Sequence, residues 1–240
     1  MSAQGYFFND IWRPFHCKIK TFSVKKALTC LKGTHIYMFG DSTIRQFKTY
    51  FQTSFKGFKG ISEKEGRLPL SPKHLYNSVY NITVKYRSHG LPLKSPCQPM
   101  TENHYVFNEL NKLQGGPDVV ILISLWAHFG KTTLFLYEKR IEAILDSIQR
   151  LLERFPETTV IFKGANTRRH NGPFWSICSS DWVAYRFEEK LRSILSRRNL
   201  NIGFLDAWDL TTAHYSADYI HPNKYIITTM VKQVLTHYCE

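Results

Sequence analysis

No stretch of about 18 apolar residues occurs in this chain, so no segment has the composition of a membrane-crossing helix. A Cys-x-x-Cys pair, a His-Glu-x-x-His pattern and any clustering of cysteine with histidine are also missing, which argues against a structural zinc site and a catalytic metal. RNP-type aromatic motifs, zinc-finger spacing and a basic zipper are absent as well, which leaves nucleic acid without a recognisable reader. The opening residues Met1 to Tyr6 carry neither the basic nor the apolar region of a secretory leader. Acidic side chains are scarce, 19 against 32 lysines and arginines, giving a formal charge of +13 and a pI near 9.5. That surplus points to an anionic partner: an acidic glycan, an anionic membrane face or nucleic acid. It is scattered, and never forms the block of like charge that a nucleic-acid tail would show.

What is present describes a globular domain. With 240 residues, 43% of them apolar, the chain is long enough to bury a substantial core. It shows no internal repeat and no low-complexity stretch. Five dispersed cysteines (Cys17, Cys30, Cys97, Cys178 and Cys239) and an Asn81-Ile82-Thr83 sequon fit an oxidising compartment, with Asn81 as a glycosylation acceptor. Pairing of Cys17 with Cys30 would close a short loop and hold residues 1–33 as a mostly irregular lead-in packed on the domain.

From residue 34 onward, strand-like and helix-like segments alternate. Strands are expected over about 34–39, 81–86, 118–125, 158–163 and 201–205. Helices are expected over about 43–54, 102–113, 137–155, 182–197 and 222–238, with Pro222 in the first turn of the last. The segment 57–75 reads as a long surface loop, and 91–100 as another. Asp118 to Leu125 is a near-continuous β-branched and leucine run, the signature of a strand buried on both faces. The alternation predicts an α/β fold over 34–240: a three-layer αβα sandwich on a mainly parallel sheet. In such sheets the ligand site lies beyond the carboxyl ends of the strands. That rule directs attention to Gly40-Asp41-Ser42, His89-Gly90, Trp126-Ala127-His128, Gly164-Ala165-Asn166 and the stretch from Asp206 to His221.

Ser42 stands at a strand-to-helix corner, where helix N-terminal N–H groups and the helix dipole would face an oxyanion developing on an attacked carbonyl. The same tripeptide also suits a plain helix cap by Asp41 or Ser42. A serine nucleophile needs a base, and the base a group to orient it. Asp218-Tyr219-Ile220-His221 offers both, and Asp218 is the only one of eight aspartates followed by histidine at that spacing. A capping aspartate beside an ordinary half-buried histidine is the alternative. His89, His170 and His214 receive no role.

Gly40-Asp41-Ser42 early and Asp218-x-x-His221 late in an alternating chain resemble the SGNH hydrolase superfamily. Arg45, three residues after the serine, and Trp12-x-Pro14-x-x-Cys17 ahead of the first strand are similar to its PC-esterase branch. Gly5-Tyr6, Cys30 to Gly33, Gly40 to Gln46, Asp206 to Asp209 and His221-Pro222 resemble most closely the C-terminal domain of the NXPE (neurexophilin and PC-esterase domain) family. The resemblance implies acetyl transfer or ester hydrolysis on a glycan hydroxyl, sialic acid included, through an acyl-serine. It implies Ser42 as nucleophile, His221 as base and then acid, Asp218 as its orienter, and Arg45 at the oxyanion or substrate. No bound cofactor is implied, with acetyl-CoA as a candidate donor, a glycan or glycoprotein as partner, and the secretory pathway, Golgi lumen or cell exterior as location. Relatives carry a leader and a neurexophilin-like domain ahead of this one; the chain shows neither, so it is expected to be a C-terminal fragment or short product. In one respect the pattern departs from the superfamily: Leu125-Trp126-Ala127-His128 replaces the usual Gly-x-Asn oxyanion donor, leaving His128, Asn166 or the backbone of Gly90 to substitute. The rival reading is a catalytically silent binding module of the same fold.

Overall fold

The order of strands in the central sheet follows from which segments are apolar on two faces and which on one. The computed structural model describes residues 4–61, 73–93, 103–169, 172–215 and 219–239. Seven strands form one sheet in the order β4-β5-β6-β3-β7-β8-β9. They are β4 (Phe58–Ile61), β5 (Lys73–Asn77), β6 (Ile82–Ser88), β3 (His35–Gly40), β7 (Val119–Ser124), β8 (Thr159–Lys163) and β9 (Gly203–Leu205). From β6 to β9 all neighbours are parallel; β4 and β5 add an antiparallel edge.

Alternation along the inner strands sends side chains into two separate cores, as the two-residue period of a strand requires. Ile36, Met38, Val120 and Leu122 join one core, whereas Phe39, Val119, Ile121 and Ile123 join the other. On the first side lie α1 (Val24–Cys30), α2 (Ser42–Ser54), α7 (Ala207–Thr212) and α8 (Lys224–Tyr238). On the second lie α3 (Val106–Lys112), α4 (Leu134–Arg154) and α6 (Asp181–Ser196), with short α5 (Pro173–Cys178) ahead of α6. The fold is a three-layer αβα sandwich.

Several expectations need correction. Residues 5–14 are not irregular: β1 (Gly5–Phe8) and β2 (Ile11–Pro14) make a hairpin whose two-residue turn, Asn9-Asp10, has positive φ at both positions, 48° and 56°. The expected 57–75 loop contains β4, an edge strand with three of its four residues exposed, and the start of β5, which lies between β4 and β6. Pro222 stands ahead of α8, not in its first turn, because Asn223 caps the helix by accepting from the N–H groups of Tyr225 and Ile226. Cys30 pairs with Cys239, not Cys17, joining the ends of α1 and α8 across 209 residues of sequence. Cys17 and Cys178 are free thiols. Cys97, His170 and Asp218 lie outside the described residues. Asn81 is exposed in the β5–β6 turn at φ +53°, its side-chain oxygen accepting from the Tyr76 hydroxyl at 3.0 Å.

Candidate active site

Strand β3 ends at Gly40, packed so closely on β7 that an added Cβ would run into the carbonyl oxygen of Ser124. The close approach requires glycine there and sets the corner from which α2 departs. Asp41 is buried and caps α2, one oxygen accepting from the Thr43 N–H (2.8 Å) and hydroxyl (2.7 Å). Its other oxygen accepts from the backbone N–H groups of Trp126 (3.2 Å) and Ala127 (3.0 Å). One carboxylate thus fixes both the start of α2 and the loop after β7. Burial alone would raise its pKa, but His128, His89, Lys163 and the Ala127 N–H together hold it below the ordinary carboxylate value. The capping reading therefore applies to Asp41, and it leaves Ser42 at the first helical position, where backbone N–H groups lack intrahelical partners.

Ser42 Oγ lies 2.7 Å from His221 Nε2, a hydrogen bond closed over 179 residues of sequence. The turn carrying the imidazole is held on both sides. Asn166 donates to the carbonyl of Ile220 at 3.1 Å, and Gln46, one turn beyond Ser42 on α2, donates to that of Pro222 at 2.9 Å. Burial lowers the His221 pKa; the cations Arg45 and Arg168 add to the drop, against an opposing pull from Asp41. The imidazole is consequently neutral, and able to accept a proton, over a wider range than an ordinary histidine. A hydroxyl hydrogen-bonded to a neutral imidazole at a helix N-terminus is the arrangement of an activated oxygen nucleophile.

The other expected residues divide by placement. Asn166 is fully buried, and its amide donates to the carbonyls of Thr167 (2.9 Å) and Ile220, so it supports the histidine turn. Gly90 and His128 follow β6 and β7, whose ends Ser88 and Ser124 are both level with Gly40, so both loops leave the sheet beside the β3–α2 corner. Gly90 has φ +77° and packs under Tyr105. His128 pairs with the buried His89 at 3.2 Å, and burial, with His128 alongside, pushes His89 down to about 3. Arg45 stands close enough to act electrostatically on His221 and on Tyr86, whose hydroxyl donates to the Gly40 carbonyl at 3.2 Å.

Two contributors escaped the sequence reading. Gln46 gave no signal beyond its helical spacing from Ser42. Lys163 ends β8 and is buried, its Nζ donating to the Gly164 carbonyl (3.0 Å), to Asn166 Oδ1 (3.0 Å) and, more distantly, to Thr43 Oγ1 (3.4 Å). Burial brings its pKa to about 8 despite Asp41 and Glu188. A lysine ending an apolar strand looks like its solvated end, and only the tertiary contacts reveal it as the cation linking the serine corner to the histidine turn.

Among the described residues no group of three or more His, Cys, Asp and Glu side chains could hold a metal ion, and no helix is long and apolar enough to cross a membrane. Two cavities of about 510 and 570 Å³ flank the lead-in around Cys17, Lys18 and Ile19; neither is lined by Ser42 or His221.

Solved structures of similar shape include a lipolytic protein and an aryl esterase. A lipolytic protein of the G-D-S-L family from Veillonella parvula shares 12% identity, with 84% of this chain and 96% of that chain covered and a TM-score of 0.50. The inhibitor-bound aryl esterase of M. smegmatis shares 12% identity, with 85% and 97% covered and a TM-score of 0.52. At such identities the likeness establishes the fold, that of the SGNH/GDSL hydrolases. The sequence family described as NXPE family member 4-like, C-terminal domain matches residues 12–239, and this chain therefore belongs to the NXPE family through its C-terminal, PC-esterase-type domain.

Proposed function

We propose that this domain moves an acyl group, acetyl foremost, between an ester or thioester donor and a hydroxyl acceptor through an acyl-Ser42 intermediate. The 2.7 Å Ser42–His221 hydrogen bond at the N-terminus of α2 is the observation that carries the reading. His221 Nε2 takes the Ser42 proton as Oγ bonds to the acyl carbon, and the leaving alkoxide or thiolate departs with that proton. The acceptor hydroxyl then gives its proton to His221 and attacks the acyl carbon, and as the acyl–Oγ bond breaks His221 returns that proton to Ser42 Oγ. Negative charge on the carbonyl oxygen is met by backbone N–H groups at the start of α2, with His128 and the Gly90 N–H as further donors. Asp218 orients the imidazole, and Arg45 binds the oxyanion or an anionic part of the substrate. The acceptor is a glycan hydroxyl, sialic acid included, on a glycoprotein of the secretory pathway, and acetyl-CoA is the donor. The chain's surplus of cations supports an anionic donor or acceptor.

The competing reading, a silent binding module, predicts the serine buried or separated from the histidine. The observed pair is hydrogen-bonded and His221 is exposed, which favours the enzyme. The test is intact-mass detection of an acetyl adduct after incubation with acetyl-CoA or an activated acetyl ester, with Ser42→Ala as control. An adduct that vanishes in the variant is expected. A folded protein that takes up no acetyl group from either donor overturns the reading.

A further inference from the structure

In a parallel sheet the strands end, and the following helices begin, on one end of the molecule. That end here carries Ser42 and His221, and it also carries an unusual share of exposed apolar side chains. Phe135 and Leu136 open α4, Trp182 opens α6, and Tyr219 precedes His221 by two residues. Helix α5 buries none of its six residues, and within it Phe174 is 52% and Ile177 76% exposed. These elements are contiguous with the site. Gly130, in the loop that Asp41 holds through Ala127, packs against the backbone of Cys178 at the end of α5. Arg169 donates its N–H to the Tyr219 carbonyl at 2.8 Å, and Arg168 is close enough to act electrostatically on His221.

Four aromatic rings on this end each have a cation over one face. Lys131 lies 4.6 Å from the Phe174 ring, and Arg168 5.2 Å from Trp175. Arg169 lies 5.6 Å from Tyr219, and Arg186 5.6 Å from Trp182. The neighbouring acidic groups are engaged: Asp181 accepts from the Arg168 N–H, Glu138 pairs with Lys190 and Arg197, and Glu142 with Lys139. Cations interleaved with exposed Trp, Tyr, Phe and branched aliphatics form the pattern of a surface that lies in a headgroup layer. A sugar-binding platform would differ: it needs open ring faces and hydrogen-bonding groups, whereas here cations cover a face of Phe174, Trp182 and Tyr219, and Leu136 and Ile177 offer neither.

We propose that this end of the domain docks on an anionic lipid bilayer, with Phe174 and Ile177 entering the headgroup boundary and Lys131, Arg168, Arg169 and Arg186 meeting lipid phosphates. Ser42 then faces the membrane surface. The docking involves no turnover, so it stands or falls apart from the acyl-transfer reading.

The test is co-sedimentation of the whole chain with phosphatidylcholine vesicles, with and without phosphatidylserine. Expected are binding that requires phosphatidylserine and weakens as salt rises, and partitioning lowered at least about tenfold in Phe174→Ser/Ile177→Ser. Val79→Ser should leave it unchanged, because Val79, though 78% exposed, lies in the β5–β6 turn at the opposite end of the sheet. Vesicles with brominated acyl chains should quench tryptophan fluorescence in the parent and not in the double variant. Failure to sediment with phosphatidylserine vesicles at low salt overturns the proposal. So does equal sedimentation of the double variant, or retention on an acidic polysaccharide without vesicle binding.

Discussion

His221 titrates under opposing influences, and their balance sets a measurable pH dependence. Burial, with Arg45 and Arg168 nearby, outweighs Asp41 and lowers its pKa below 6.5. A base acts in its neutral form, so the acylation rate with an activated ester should rise with pH through a midpoint below 6.5. Arg45→Gln removes one depressing charge, and should move that acidic limb to higher pH. An unmoved limb would mean that another group is being titrated. The histidine turn offers a second handle at this scale. Gln46→Ala or Asn166→Ala frees the backbone on one side of the imidazole, and a misplacement of about 1 Å costs on the order of a hundredfold in rate. Gln46→Ala should lose acylation rate while keeping its unfolding free energy within about 1–2 kcal/mol of the parent, whereas Asn166→Ala, which also removes a partner of buried Lys163, should lose stability as well. Lys163→Met differs in kind. It strips the buried Asp41 of a compensating cation and leaves the Gly164 carbonyl and Asn166 Oδ1 unpaired, and denaturant unfolding should show a loss of about 2–4 kcal/mol.

At the scale of elements, the β3–α2 corner leaves no room for a side chain at Gly40. Gly40→Ala places a methyl against the Ser124 carbonyl and the Ile44 side chain, so β3 and β7 must part where Ser42 is presented. A cost of about 1–3 kcal/mol, or more, is expected from this overpacking, read as a lowered melting temperature together with loss of the acetyl adduct. The elements that the sequence made legible are those whose burial leaves a periodic trace: the apolar run of β7, the helical stripe of α4, and the strand-to-helix corner at Gly40. Hidden ones lacked that trace. The edge strand β4 exposes three of its four residues, β5 carries one aliphatic residue, Leu75, among its five, α5 and α7 are six residues each, and the β1–β2 turn depends on two residues adopting positive φ. Likewise, Ser42 and His221, which the fold brings to 2.7 Å of each other, could be picked out because serine and histidine stand there in short local patterns. Gln46, Lys163 and the supporting place of Asn166 could not, since each is defined by a partner more than a hundred residues away, or by a buried position that no local pattern discloses.

At the scale of the whole molecule, the Cys30–Cys239 bridge constrains almost the entire chain. A loop of this length restricts the unfolded ensemble strongly, and Cys239→Ser should lower stability by about 2–5 kcal/mol in urea unfolding. If the bridge acts mainly in this way, adding reductant should bring the parent to the variant's midpoint and leave the variant unchanged. The remaining consequence concerns cleavage. Ser42 and His221 are 179 residues apart in sequence, and both lie between Cys30 and Cys239. A single proteolytic nick between the two site residues would therefore leave both pieces joined through the bridge, separable only by a reductant, so that a cut domain would run as two bands on a reducing gel and as one without reductant.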